Sequence, residues 1–527
     1  MSALSQTLFR HNMRRAATAM PTFGRARSRG YFGRQGVSPQ VSPPPVHFSS
    51  DPNSIVTVEV KTIIAPTPNT YQQTGCFVSF GGTNMKQFEV QELTARGDLD
   101  LVVDPPIHID NMTWNVGGTV TVTTVQELGD DATVGFSNIT GCEPSAYNAR
   151  HINIQQTGPN SFTYTTPALA TDPGPADRTG FITPEPSVEV QQMATTFFDQ
   201  GNAISVYVLE LGRTSLPDEQ VAALEEWLKL NPRSFYGYLL PRSIGTSDDK
   251  IKTFQNLFKQ YQSPEAMTYF WMTVDKEQIG YLDKTFKCVI QGVEAPDVLT
   301  DLNLADPYGE FTLATMFYNA LIYKPSNSRR VAPMAFKFAY GVTHYPTQNN
   351  GPLLKSFKDN ATNYISTGAE GGIDFNTIYT GVTKDGMDYF NWWWTIDYVQ
   401  IQINLDLSNC IINGANDALA PLYYDQGGID TLHACLTGTM INARAFGMVV
   451  GAIIMSGSTG DQLAQDIANG VYDGACNTNA VPFIPYAQSN PGDYKIGEYD
   501  GLSTLFIPKR GFIHVLVTVA ASELVVM

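Results

Sequence analysis

The sequence has few charged residues and lacks an apolar run long enough to cross a bilayer. Asp, Glu, Lys and Arg make up 16% of the 527 residues, against about 25% in an average soluble protein. The most apolar uncharged stretch, residues 445–460, contains glycine and serine and is shorter than the ~18–20 apolar residues of a membrane span. We therefore expect a soluble protein without membrane contact and with large buried interfaces.

Paired cysteines and catalytic glycine motifs are also missing. The six cysteines show neither C-x-x-C nor regular spacing, which argues against a disulfide framework or a zinc site and favours a reducing compartment. The sequence contains no G-x-G-x-x-G, P-loop or G-x-S-x-G motif at a predicted strand end. Arg213 or Asp275 could serve as a catalytic group there, but a solvated loop charge is the simpler interpretation. We expect no cofactor, no metal and no enzymatic activity.

Charge is distributed unevenly along the chain. The first 50 residues hold seven arginines and no Lys, Asp or Glu, which leaves 26 basic against 50 acidic residues, a net charge of -24, in the other 477. Because phosphates repel such a surface, nucleic acid is not expected as a partner of the body. The basic head is interpreted as a disordered or extended arm, with a cleaved targeting signal as the alternative.

Hydrophobic periodicity predicts an α/β fold. We expect a layered mixed sheet core flanked by helices, with an inserted small all-β module and extended terminal strands. Long helices are predicted over residues 392–410 and 429–443, where apolar residues step by three and four. The predicted core strands cover residues 76–80, 204–211, 235–240, 267–274, 287–291 and 334–340. The predicted organisation is 1–50 basic extension, 51–104 N-terminal strands, 105–184 β module, 185–345 α/β core and 346–527 C-terminal α+β core.

Two local patterns resemble binding sites, one for a stacked ring and one for a metal, but their spacing argues against both. Trp392, Trp393 and Trp394 could form a stacking platform, but three consecutive helical residues span about 200° of the circumference. We predict that they pack between elements. His433 and Cys435 are two residues apart on a predicted helix, so their side chains should diverge rather than share a metal.

The two ends of the fold carry long apolar, β-branched strands, residues 55–64 and 512–519. An exposed strand of this kind is an aggregation hazard and must be paired. It could pair within the subunit, or it could be donated to a neighbouring subunit. The residues expected at the resulting subunit interface are Val56, Val58, Val60, Ile63, Ile513, Val515, Val517 and Val519.

From residue 54 onward one series of segments carries a family resemblance. They are SIVTVEVKTIIAPTPNTYQQTGCFVSFGG, TTFFDQGNAISVYVLELG, EEWLKLNPRSFYGYLLP, NATNYIST, IYTGVTKDGMDYFNWWWTIDYVQIQINLDL and the terminal strand. In order and character these segments resemble the tail sheath proteins of contractile-tailed bacteriophages. The segment from 113 to 167 is similar to small β modules inserted in phage tail proteins. The basic head has no counterpart in the family.

The resemblance implies a structural subunit of the virion tail, assembled in the host cytoplasm. Copies would stack in rings, hexameric by resemblance, around a tail tube and contract together to drive the tube through the host envelope. The implied partners are other copies of the chain, the tube protein, the baseplate and the tail terminator. The alternative interpretation is a tail-associated enzyme or carbohydrate-binding protein that uses the β module and the Trp-rich helix.

Overall fold

A computed structural model gives the fold of most of the chain after residue 70. The described ranges are 71–126, 136–214, 216–263, 265–294, 310–326, 330–345, 350–367, 376–386, 389–451, 453–455 and 476–512. Among the helices in these ranges, none combines the length and apolar character that a bilayer crossing needs.

Strands and helices are numbered in chain order within the described ranges. The strands are β1 (Gly75–Ser79), β2 (Val90–Leu93), β3 (Ile107–Asn115), β4 (Thr119–Thr124), β5 (Phe136–Thr140), β6 (Ala149–Asn153), β7 (Gln155–Gly158), β8 (Ser161–Thr165), β9 (Phe181–Pro184), β10 (Val206–Glu210), β11 (Gly237–Leu239), β12 (Tyr269–Thr273), β13 (Val289–Gly292), β14 (Tyr364–Thr367), β15 (Asn376–Tyr379), β16 (Ile453–Met455), β17 (Cys476–Ala480) and β18 (Leu502–Leu505). The helices are α1 (Glu185–Asp199), α2 (Pro217–Leu230), α3 (Asp248–Gln260), α4 (Thr312–Leu321), α5 (Gly351–Asp359), α6 (Phe390–Asn416), α7 (Gln426–Ala445), α8 (Phe483–Ser489) and α9 (Pro491–Ile496).

A six-stranded sheet forms the centre of the α/β core. Its order is β13-β12-β11-β1-β10-β2, and every pair is parallel except β10 with β2. Strands β1, β12 and β13 are buried at every residue, as expected of a parallel sheet covered on both faces. Helices α1, α4 and α6 pack on the face that carries Phe77, and α2 and α3 pack on the face that carries Val78. The predicted mixed α/β fold is confirmed.

The predicted all-β module is a seven-stranded antiparallel sheet of order β6-β5-β9-β3-β4-β8-β7. Alternate residues of β4 are buried, and the inward side chains form a separate core that includes Val120, Phe162 and Ile182. Ile107 and Ile182 are register partners, so the entry and exit of the module are adjacent in space. The domain boundaries named from the sequence remain predictions.

The C-terminal part is built around two helices predicted from their periodicity. Helix α6 has 27 residues and α7 has 20. The two helices are connected by the turn at 417–425 and pack against each other in antiparallel orientation. The remaining strands form the β14-β15 pair and the β16-β17-β18 sheet.

One predicted core strand, residues 334–340, is wrong. Phe336 has φ +62°, which interrupts the extended backbone, and this segment contributes only an isolated bridge from Phe338 to Thr377. Its aromatic residues are about half exposed, whereas Met334 and Ala339 are buried. The two-residue alternation therefore does not correspond to one buried face.

Candidate functional site

The carboxyl edge of the central sheet is the natural place for a ligand. Numbered along the chain, the five parallel strands lie in the order 2-1-3-4-5, with the reversal between β1 and β11. In doubly wound folds, ligands bind in the crevice outside the strand ends at this reversal. The loops that border it here are residues 80–83 and 240–243.

A buried arginine, Arg242, lies at this edge. Its Nε donates to Glu294 Oε2 at 2.6 Å, and its Nη1 donates to Gln192 Oε1 at 2.7 Å. Nη2 donates to the Glu310 carbonyl at 3.1 Å, and the guanidinium carbon lies 4.7 Å from the centre of the Phe311 ring. The guanidinium therefore bridges α1, the end of β13 and the segment before α4.

Further carboxylates surround this cation. Glu294 also accepts the N–H of Thr312 at 2.9 Å, at the first turn of α4, where a negative charge is stabilising. Glu189 accepts the N–H of Ser243 at 3.1 Å. Burial first, and then the neighbouring Glu185, raise the pKa of Glu189 to about 7. Burial likewise raises the pKa of Glu310.

The neighbouring strand end is closed by a second carboxylate, Glu210. Its oxygens accept the hydroxyls of Ser79 and Thr83 and the N–H groups of Gly81 and Gly212, at 2.7–2.8 Å. These four donors satisfy the carboxylate and fix the loop that follows β1.

Close backbone contact leaves little room at the crevice. A Cβ on Gly82 would lie 2.4 Å from the carbonyl oxygen of Pro186 in the first turn of α1. The loop after β1 is therefore in van der Waals contact with the helix backbone. The polar groups at this edge are bonded to one another, an arrangement that can hold the strand ends together.

The two groups named from the sequence for this edge are both half-buried. The side-chain stem of Arg213 lies against Gly81, where an added Cβ would be 2.6 Å from Arg213 Cβ. The N–H of Asp275 donates to the Gly245 carbonyl at 3.2 Å. Sequence reasoning missed Arg242, although the motif LLPRS places it directly after an apolar strand.

A second buried acid lies beneath the sheet. Asp397 on α6 is 2% exposed, and its Oδ2 accepts the hydroxyls of Tyr236 and Tyr269, both at 2.9 Å. Burial raises the pKa of Asp397 to about 7, against the lowering effect of the two tyrosine hydrogen bonds. The carboxyl group thus titrates near neutrality inside the core.

This titration predicts how stability depends on pH. Between pH ~4 and ~7 the folded state retains a proton that the unfolded state has lost, so the free energy of unfolding falls as pH rises through this window. Asp397→Asn keeps a neutral acceptor for both tyrosines at every pH. We expect the variant to gain up to about 4 kcal/mol over the wild type as pH rises from 4 to 8.

Urea unfolding across pH, followed by tryptophan fluorescence, measures this difference. The difference between variant and wild type isolates Asp397, because Glu189 contributes equally to both proteins. The exposed Asp359→Asn variant serves as the control and should parallel the wild type. Parallel curves for Asp397→Asn would show that Asp397 is ionised in the fold at neutral pH.

The tryptophan run does not form a platform, as predicted. Trp394 is buried and stacks on Tyr398, with ring centres 5.5 Å apart. The Arg510 guanidinium carbon lies 4.2 Å from the centre of the Trp392 ring, and Lys287 Nζ lies 4.8 Å from that of Trp393. The three rings therefore pack against three different partners.

His433 and Cys435 also diverge as predicted. His433 Nε2 lies 3.2 Å from the Thr478 hydroxyl, whereas burial, and then the neighbouring Cys410 thiol, raise the pKa of Cys435 to about 11. Within the described ranges, no three His, Cys, Asp or Glu side chains are grouped so that they could hold a metal ion.

A cleft of ≈ 520 Å³ opens where α6 ends and α7 begins. Asp417 and Asp425 line it, and both carboxylates are engaged with backbone: Asp417 accepts the N–H groups of Leu419 and Ala420, and Asp425 accepts that of Gly428. Cys410 also lines this cleft.

The predicted interface residues cannot be placed. All eight, Val56, Val58, Val60, Ile63, Ile513, Val515, Val517 and Val519, lie outside the described residues. Their pairing remains a prediction.

Comparison with known proteins finds likenesses among solved structures. No protein-family model matches the chain, and no curated protein matches its sequence. This chain is similar to the crystal structure of the sheath tail protein Lin1278 from Listeria innocua. The similarity covers 74% of this chain and 90% of the Lin1278 chain, with 9% sequence identity and a TM-score of 0.38.

Proposed function

We propose that the protein is a structural subunit of a contractile phage tail sheath. In this role copies of the chain polymerise as stacked rings around a tail tube, meet the baseplate and tail terminator at the ends, and contract to drive the tube through the host envelope. The chain would carry out no chemical reaction, and it would be assembled in the host cytoplasm and reside in the virion tail. The motifs quoted above are the source of this proposal.

The observation that carries the proposal is uncovered apolar surface in the C-terminal part. The first half of α6 is largely buried, but Ile411 and Ile412 near its end are more than half exposed, and Leu419 in the following turn is 97% exposed. Tyr424 in this turn contacts the rings of Phe483 and Tyr494 on α8 and α9. Those helices add exposed Ile484 and Ile496. Exposed apolar side chains on elements that contact one another fit a protein–protein interface.

The closed crevice supports the same proposal. The place where a doubly wound fold would hold a substrate is occupied by the Arg242 and Glu210 networks. The covered tryptophan rings likewise give no support to a carbohydrate platform.

Assembly of the purified full-length chain tests the proposal. Negative-stain microscopy and sedimentation should show rings or tubes above a critical concentration. Leu419→Lys should raise that concentration roughly 10- to 100-fold, because a buried leucine contributes about 1.5–3 kcal/mol and a lysine there would be desolvated.

Val116→Lys provides the matched control. Val116 is 95% exposed, but it lies in the β3-β4 turn of the antiparallel sheet, so this variant should assemble like the wild type. Discrete particles of wild-type protein at all concentrations would contradict the sheath proposal and favour the enzyme or carbohydrate-binding alternative. Normal assembly of Leu419→Lys would show that this surface is not the interface.

A further inference from the structure

Helices α6 and α7 bring two cysteine residues into register. Asp406 Oδ2 accepts the Thr439 hydroxyl at 2.5 Å across the helix pair. Cys410 lies one turn beyond Asp406, and Cys435 lies one turn before Thr439. Because the helices are antiparallel, these positions face each other. Burial, and then the neighbouring Cys410 thiol, raise the pKa of Cys435.

The pair differs from the other described cysteines in its exposure. Cys76, Cys142 and Cys288 are buried at 0%, 3% and 1% exposure, whereas Cys410 and Cys435 are only partly buried. Cys410 also lines the cleft at the end of α6. Thiol reactivity depends on such access, so Cys410 is the thiol that a small oxidant meets first.

We propose that Cys410 and Cys435 form an oxidative modification site that closes into a disulfide between α6 and α7. The oxidant is a low-molecular-weight disulfide. The Cys410 thiolate attacks one of its sulfurs, a mixed disulfide forms and the first small thiol leaves. Cys435 then loses its proton and attacks the Cys410 sulfur, the Cys410–Cys435 bond forms and the second small thiol leaves.

The two sulfurs must come to the ~2.05 Å of an S–S bond. Both side chains are only partly buried, which leaves room for the side-chain rotation that this step needs. The bond would tie the end of α6 to the first half of α7, across the turn that carries the exposed Leu419. It would therefore restrain the surface on which the proposed assembly depends.

Thiol counting on the folded full-length protein tests this site. After incubation with glutathione disulfide and subsequent denaturation, four of the six thiols should remain. Peptide mapping should find residue 410 linked to residue 435. Cys435→Ser should instead carry a stable glutathione adduct on Cys410, and Cys410→Ser should lose no thiol at Cys435 over the same time.

Cys476→Ser is the control, and it should still form the 410–435 link. A retained full set of thiols would overturn the site, as would separate glutathione adducts on both cysteines or a link from Cys435 to Cys476. Unchanged near-ultraviolet circular dichroism of each serine variant establishes that a lost link reflects the missing sulfur and not unfolding. Thiol counting does not depend on assembly, so its result can contradict the disulfide site without contradicting the sheath proposal.

Discussion

Arg242→Met should destabilise the fold by about 3–5 kcal/mol. The substitution removes the cation from a site where Glu294 is 5% exposed and Gln192 is 1% exposed, leaving a buried carboxylate without its partner. Breaking a buried ion pair on one side costs this much because the remaining charge is neither solvated nor paired. A lower urea midpoint, measured by tryptophan fluorescence, would report the loss.

Two further variants separate charge from packing at this site. Arg242→Met with Glu294→Gln should recover much of the lost stability, because removing both charges of a buried pair is often nearly neutral. Lys355→Met breaks an ion pair to Asp359 whose side chains are 74% and 55% exposed, and should have no measurable effect. If the single and double Arg242 variants were equally unstable, the loss would come from packing and not from an unpaired charge.

Gly237→Ala should also lower stability, by about 1–3 kcal/mol. Gly237 and Gly75 are register partners on adjacent strands, and Phe317 of α4 packs over both. A Cβ at Gly237 would lie 2.7 Å from ring atoms of Phe317 and Trp271. Both rings are fully buried, so neither can move aside without disturbing the core.

A compensating change distinguishes this steric mechanism from a simple loss of strand flexibility. Phe317→Leu removes ring atoms from above Gly237. The double variant should therefore lose less unfolding free energy than the two single variants lose in sum. Gly438→Ala is the opposite control: it lies inside α7 with no atom within 4 Å of an added Cβ, and should stabilise the protein by about 0.5–1 kcal/mol. Strictly additive effects at 237 and 317 would rule out the steric mechanism.

Elements whose signals are local could be predicted from the sequence. The helices predicted over residues 392–410 and 429–443 from three- and four-residue steps are α6 (Phe390–Asn416) and α7 (Gln426–Ala445). Strands β10 and β12 were predicted to within two residues, because apolar runs between turn residues mark buried parallel strands.

Helix α1 was not predicted because it lacks a polar face. Val188, Glu189, Val190 and Gln192 are all buried, so periodicity gives no contrast between two sides. The segment 334–340 fails for the opposite reason: its alternation resembles a strand although its backbone does not. Both errors arise where tertiary packing overrides the local pattern.

The polar networks were beyond local pattern reading because their partners are distant in sequence. Arg242 lies 52 residues from Glu294 and 50 from Gln192, and Asp397 lies 161 residues from Tyr236. The local sequence around Arg242 and around Asp397 does not indicate that these side chains are buried. Only the strand order brings these groups together, and residue periodicity does not predict strand order.

The position of the antiparallel sheet has a consequence for folding during synthesis. Central strand β1 leaves the ribosome first, yet its parallel neighbour β10 follows only after the whole seven-stranded module, with Ser79 and Glu210 131 residues apart. At about 5–20 residues per second, β1 waits roughly 7–26 s for its partner. Among the described strands, those of the module pair with one another and with no others. The module can therefore fold in this interval and shorten the effective loop that β1 and β10 must close. Folding of the core is thereby ordered in time, because the apolar strand β1 emerges well before the strands with which it pairs.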